Sequence, residues 1–179
     1  MTPRRLGAVI FGLALLAPTC DSRSPDEPST ARVPAQNATE APLLPVFADE
    51  LPTMDPPTFV QLLEQLRGTP VLVNIWGSWC PPCLEEMPRL VEAHREFGDR
   101  VQFIGIDILD SRNEARDFME DFEMTFPSVF DAPDEIKGAL GQFGQPVTIF
   151  YDRDGNFFRS WAGPIPMHTL RRNLEAIAG

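Results

Sequence analysis

Cys80 and Cys83, separated by two prolines in "GSWCPPCLEEMP" (Gly77 to Pro88), are the residues with the clearest chemistry. Cysteines at that spacing serve as half of a zinc site, as a structural cross-link or as a redox couple. Zinc needs two further ligands. The remaining candidates, Cys20, His94 and His168, show no finger-like spacing, so no metal is expected. A structural disulfide stays open on spacing, but a pair between a buried strand and a helix favours redox work. With Cys80 as N-cap and Pro81 and Pro82 as the first helical residues, Cys83 falls inside the first turn. The partial positive charge of a helix N-terminus favours a thiolate there. Cys80 is expected at the exposed end, as the nucleophile, and Cys83 as the residue that resolves a mixed disulfide. Both prolines remove N–H donors that would stabilise the thiolate. That leans the pair toward a stable disulfide and a reducing role.

Such a turn needs a strand before it and a helix after it. "VLVNIW", Val71 to Trp76, is β-branched and nearly all apolar, as a strand covered on both faces should be. After the cysteines, Leu84, Met87, Leu90, Val91 and Phe97 recur at helical spacing, and Gly98 closes that helix. Upstream, Thr58 to Leu66 reads as a helix ended by Gly68. Downstream follow a strand over Val101 to Ile106, a helix over Ala115 to Glu123, a short strand at Pro127 to Phe130 and a short helix over Glu135 to Leu140. Val147 to Tyr151 and Asn156 to Trp161 flank the turn "DRDG" and predict a β-hairpin. A last helix runs from Met167 to Ile177. A βαβ unit followed by a hairpin implies an α/β fold, with a mixed central β-sheet flanked by helices.

The chain has 179 residues, 43% of them hydrophobic, enough for one domain with a true core plus extra segments. Its net charge of −11 argues against nucleic acid as a partner, because phosphate contacts need Lys and Arg. Residues 1–20 read as a signal or lipoprotein anchor segment: basic "MTPRR", then apolar Leu6 to Pro18, too short to span a bilayer, then Cys20. A cysteine in that place resembles the lipidated residue of bacterial lipoproteins, although Thr19 replaces the usual small residue. Setting Cys20 aside leaves one pair and no stray thiol for an oxidising compartment. Residues 21–45 are rich in Ser, Thr, Ala and Pro and read as a flexible linker; residues 46–179 form the expected domain.

"VLVNIWGSWCPPCLEEMP" resembles the active-site segment of thioredoxin-like proteins, and most of all the extracytoplasmic TlpA/ResA/CcmG (DsbE) family of thiol-disulfide oxidoreductases. The resemblance covers Leu51 to Ile177 and implies a thioredoxin-like fold. It also implies a membrane-tethered or periplasmic disulfide reductase, a monomer whose only redox group is the Cys80–Cys83 disulfide. The implied partners are a disulfide-containing protein substrate, apocytochrome c among them, and a membrane electron donor of the CcdA or DsbD type. Pro88 matches the proline that kinks the active-site helix, by removing the bond to the Leu84 carbonyl. Pro146 matches the proline that is cis in this fold and faces the cysteines, although its place in the chain would also suit a plain strand start. Gln145 before it would offer backbone groups to an extended substrate. Asn74 stands where thioredoxin has a buried Asp, and Asn cannot take a proton from Cys83. Glu86, three residues after Cys83, matches a glutamate of ResA-like proteins; it either assists proton transfer at Cys83 or is a solvated helix carboxylate. Trp79 reads as an apolar rim beside Cys80 or as core filler. Trp76 and Trp161 read as core, and His94 as packing. A disulfide-forming oxidase is weakened by the absence of His between the cysteines. A copper-delivery lipoprotein on the same fold would want a Cys-x-x-x-Cys spacing that is not present.

Overall fold

The structure is a computed structural model and describes residues 41–179. The expected leader, Cys20 and most of the linker lie outside the described residues. The elements are α1 (Pro56–Gln65), β1 (Val71–Trp76), α2 (Pro81–Phe97), β2 (Gln102–Ile108), α3 (Arg112–Asp121), β3 (Ser128–Asp131), α4 (Glu135–Ala139), β4 (Val147–Tyr151), β5 (Phe157–Ala162) and α5 (Met167–Ala178). They form one five-stranded sheet in the order β3-β2-β1-β4-β5. β1, β2 and β3 are parallel, while β4 runs antiparallel to both β1 and β5.

Alternation along the strands sorts the core into two layers. Val73, Ile75, Ile104, Ile106, Val147 and Ile149 pack against Phe59 and Leu62 of α1 and Ile136 of α4. Leu72, Trp76, Phe103 and Phe150 face the other way, onto α2, α3 and α5. Every fully buried polar residue of β1 lies on that second face, as do its partners across the sheet. Asn74 pairs with Gly105 and Thr148, and Trp76 with Asp107. Gly105 is required there. A Cβ on it would come within 2.6 Å of the Trp76 indole nitrogen and 2.2 Å of the Ser128 hydroxyl oxygen. Trp76 itself stacks on Phe118 of α3, centroids 4.7 Å apart.

Several boundaries differ from expectation for local reasons. α3 begins at Arg112, three residues early, because Ser111 caps it: its hydroxyl accepts from the Glu114 N–H and donates to the Glu114 carboxylate. Gly98 ends α2 in a right-handed conformation, φ −59°, rather than the left-handed one expected of a closing glycine. A Cβ there would sit 2.7 Å from the His94 carbonyl oxygen and 2.9 Å from the His94 ring nitrogen. Residues 41–45, placed by sequence in the linker, pack on α1. Gln65 accepts from the Leu43 N–H and donates to the Ala41 carbonyl, and Leu43 and Leu44 lie on the α1 side of the core. Trp161 is only partly buried.

Candidate active site

β1 delivers the chain to the cysteine turn. The Cys80 N–H donates to the Gly77 carbonyl at 3.1 Å, folding residues 77–80 into a tight turn. Cys80 then serves as N-cap of α2, with Pro81 and Pro82 following as expected. The first two amide N–H groups that the prolines leave, those of Cys83 and Leu84, both donate to the Cys80 carbonyl, at 2.9 and 3.1 Å. Cys80 and Cys83 are disulfide-bonded, their Cα atoms 5.2 Å apart.

One expectation fails here. Cys80 is not exposed: it is 1% accessible, and Cys83 is 0%. The turn onto Gly77 folds Cys80 back against the strand end. The bond to Cys83 then ties it into the cluster that holds Trp76, Met87 and Ile165. The exposed residues of this segment are its neighbours Trp79 and Pro81. Trp79 is 45% accessible, so it is rim rather than core filler, and its indole N–H donates to the Ile108 carbonyl at 3.2 Å.

Glu86 is the larger surprise. It is wholly buried, not a solvated helix carboxylate. Asn74 Nδ2 donates to its Oε1 at 2.8 Å, and the Ile165 N–H donates to its Oε2 at 3.0 Å. Burial pushes the Glu86 carboxyl up to about 7, against the opposing pull of the Ile165 N–H, the Asn74 amide and the Arg89 guanidinium. Leu84, expected to open the apolar stripe of α2, faces solvent instead at 41% accessibility. The first turns of α2 therefore invert the usual pattern, apolar outside and carboxyl inside. Asn74 also donates to Thr148 Oγ1 at 3.3 Å, tying β1 to β4 beneath the helix.

The Gln145–Pro146 bond is cis. Extending the β1–β4 register by one residue sets Pro146 opposite Trp76, at the strand end that leads into the cysteine turn. Pro146 is buried, and its carbonyl accepts from the Gly163 N–H at 2.8 Å. Gln145 is half-buried and accepts from Lys137 through its side chain at 3.4 Å. The structure thus brings Cys80, Cys83, Glu86, Trp79, Gln145 and Pro146 to one end of the sheet. His94 packs edge-on to Phe103 and Phe126 and bonds Thr125 at 2.7 Å, in keeping with a packing role. Cys20 is not among the described residues.

Sequence reasoning did not find Thr148, Arg89 or Ile165. Arg89 Nε donates to the Ile165 carbonyl at 2.9 Å, so α2 holds both polar groups of that peptide unit. Ile165 acts through its backbone, which no side chain advertises. Among the described residues no group of three or more His, Cys, Asp or Glu could hold a metal ion, and no helix is long and apolar enough to cross a membrane.

Comparison with known proteins gives this arrangement its relatives. A profile of the AhpC/TSA family matches residues 50–158. The thiol-disulfide oxidoreductase ResA of Geobacillus thermodenitrificans is 30% identical over 116 residues, covering 64% of this chain and 67% of the relative. Among solved structures, a DsbF homologue from Corynebacterium diphtheriae is 30% identical with a TM-score of 0.60, covering 64% of this chain and 75% of that one. A secreted Mycobacterium tuberculosis disulfide oxidoreductase, described as homologous to E. coli DsbE, is 25% identical with a TM-score of 0.59. That match covers 63% of this chain and 85% of the other.

Proposed function

Because this chain belongs to the AhpC/TSA family, with the thioredoxin-like fold of its solved relatives, we propose that it is a thiol-disulfide oxidoreductase working as a disulfide reductase outside the cytoplasm. Thiol-disulfide exchange is the activity in the name of its ResA relatives, and two similar solved proteins are described as secreted. In the reductive half-cycle Cys80, covered in the disulfide form but flanked by the exposed Trp79 and Pro81, attacks as a thiolate one sulfur of a substrate disulfide and expels the other as a thiolate. Cys83 then attacks Cys80, releasing the second substrate thiol and closing the Cys80–Cys83 bond. Two electrons pass to the substrate, and its two sulfurs leave as thiols.

The observation that carries this reading is the Cys80–Cys83 disulfide at the N-terminus of α2, with the buried Glu86, its carboxyl pushed up to about 7, one helical turn on. A carboxyl with that affinity takes the Cys83 proton when the thiol must attack and returns it on recharging. The direction is supported by the backbone. The first two N–H groups that the prolines leave, those of Cys83 and Leu84, are spent on the Cys80 carbonyl, which leaves its thiolate with little help and favours the oxidised protein. Trp79, Leu84 and Phe143 are large, apolar and exposed, on segments that flank the disulfide and the cis proline, and suit a protein substrate. An apocytochrome c is the proposed substrate and a CcdA- or DsbD-type membrane protein the proposed electron donor, with the chain tethered through Cys20.

The test is a trap. Cys83→Ala leaves a Cys80 mixed disulfide with no resolving thiol, and mass spectrometry of the adduct names the substrate. A trapped cytochrome c precursor supports the full reading. The absence of any adduct sinks the reductase assignment.

A further inference from the structure

Asp107 is a second buried carboxyl, and the exchange cycle makes no use of it. It stands near the end of β2, level with Trp76 of β1 and Phe130 of β3. It is 0% accessible, and neither of its oxygens meets a donor among the described residues. An ionised carboxylate in that condition is strongly disfavoured. The charged groups that face it are the Asp110 carboxyl, within hydrogen-bonding reach from the loop after β2, and the Arg112 guanidinium at the start of α3. Trp76 and Phe130, its neighbours across the sheet, do not titrate. Arg112 is committed elsewhere: it donates to the Leu51 carbonyl and the Thr53 hydroxyl and lies over the Phe130 ring, 4.4 Å from its centroid. Two ionised carboxylates offer each other acceptors only, so the Asp107–Asp110 contact is a hydrogen bond only when one of them carries a proton. Burial pushes the Asp107 carboxyl up to about 9; the Asp110 charge adds to the effect and Arg112 opposes it.

Asp110 in turn holds the cysteine turn. Its Oδ2 accepts from the Ser78 N–H at 2.7 Å and its Oδ1 from the Ser111 N–H at 2.8 Å. Trp79 reaches the same loop through the Ile108 carbonyl. Between Ile108 and Asp110 the chain bends at Leu109, whose φ of 52° lies in the left-handed region that bulky residues avoid. Leu109 is 52% accessible, so no burial of its own side chain accounts for the conformation. The bend brings Asp110 back to the Ser78 N–H.

We propose that Asp107 and Asp110 share one proton, and that this acid–carboxylate pair positions the Gly77–Cys80 turn that presents the redox cysteine. The pair rests on the burial of Asp107 with both oxygens unpartnered and on the Asp110 bonds to Ser78 and Ser111; its importance for exchange rests on the reading of Cys80 given above. Both are positioning residues that act through Ser78. When Asp107 ionises, the two carboxylates repel and Asp110 is driven off the Ser78 N–H.

The test is a pH titration of the oxidised full chain by carboxyl ¹³C and amide NMR, in which neither Cys80 nor Cys83 titrates. The expected result is an Asp107 midpoint near 9, followed at the same midpoint by the Ser78 amide shift. Asp107→Asn, a neutral donor to Asp110, should abolish that Ser78 step. It should also remove one alkaline inflexion from the pH profile of thiol-disulfide exchange while leaving the inflexion of the Cys80 thiol. An Asp107 midpoint in the ordinary carboxylate range, or a Ser78 amide indifferent to it, overturns the proposal. So does an exchange profile that Asp107→Asn leaves unchanged. Should that variant fail to fold, the wild-type titration decides alone. A protein inactive in exchange would fail the functional assignment while the NMR midpoints still report on the pair.

Discussion

Glu86 and Asn74 form a couple in which the amide can follow the acid through its protonation states. Asn74 Nδ2 donates to the carboxylate, and its Oδ1 is buried with no partner among the described residues. A flip of that amide would turn the idle oxygen toward a protonated Glu86, where it would accept a hydrogen bond from the acid O–H. The linkage has a definite sign. Glu86 rises from an ordinary 4.5 to about 7 on folding, so the native state binds the proton more tightly. Stability therefore falls as pH climbs from 4.5 to 7, by at most about 3 kcal/mol. Glu86→Gln should flatten that part of the stability profile in denaturant titrations at several pH values. It should also remove the matching inflexion from dithiol oxidation. An unchanged profile would strip Glu86 of its proton-handling role. Asn74→Ala removes a donor that holds the Glu86 carboxyl down, so its midpoint should move above that of the parent in a ¹³C titration. The same change leaves Glu86 and Thr148 short of a partner and should cost about 1–3 kcal/mol.

At the scale of elements, α2 shows what was legible in the sequence and what was not. Its start could be read, because Cys80, Pro81 and Pro82 fit only an N-terminus. Its inner face could not. Helical spacing admits both Leu84 and Glu86 near the boundary, and the usual rule puts Leu inside. What reverses the rule is tertiary: Asn74 across β1 and the Ile165 peptide after β5 supply the hydrogen bonds that let a carboxyl go under. Asp107 left a fainter sign, one acidic residue in the otherwise apolar run of β2. The end of α2 carries a prediction of its own. Helix propensity alone would have Gly98→Ala stabilise the protein by about 1 kcal/mol. The His94 carbonyl oxygen, 2.7 Å from the new Cβ, and the His94 ring at 2.9 Å reverse the sign. Thermal unfolding should show a net loss of about 1–2 kcal/mol.

For the molecule as a whole, the mixed sheet followed from the alternation of elements, whereas its strand order and the extent of the ordered chain did not. Residues 41–45 are poor in signals, yet Leu43 and Leu44 dock on α1 and Gln65 bonds the backbone on both sides of Pro42. A chain beginning at residue 46 should be less stable than one beginning at 41 by about 1–3 kcal/mol, read from chemical denaturation midpoints. The two edges of the sheet are also unequal. Outside β3 the segment Pro52–Met54 takes both outward groups of Phe130: the Phe130 N–H donates to Pro52 and the Phe130 carbonyl accepts from Met54. No strand lies outside β5 among the described residues, and Phe157 and Phe158 are exposed there. Growth by strand addition is therefore one-ended. Two copies that met through β5 would close on each other and offer no further edge, so concentrated solutions should stop at a pair in sedimentation rather than lengthen into fibres.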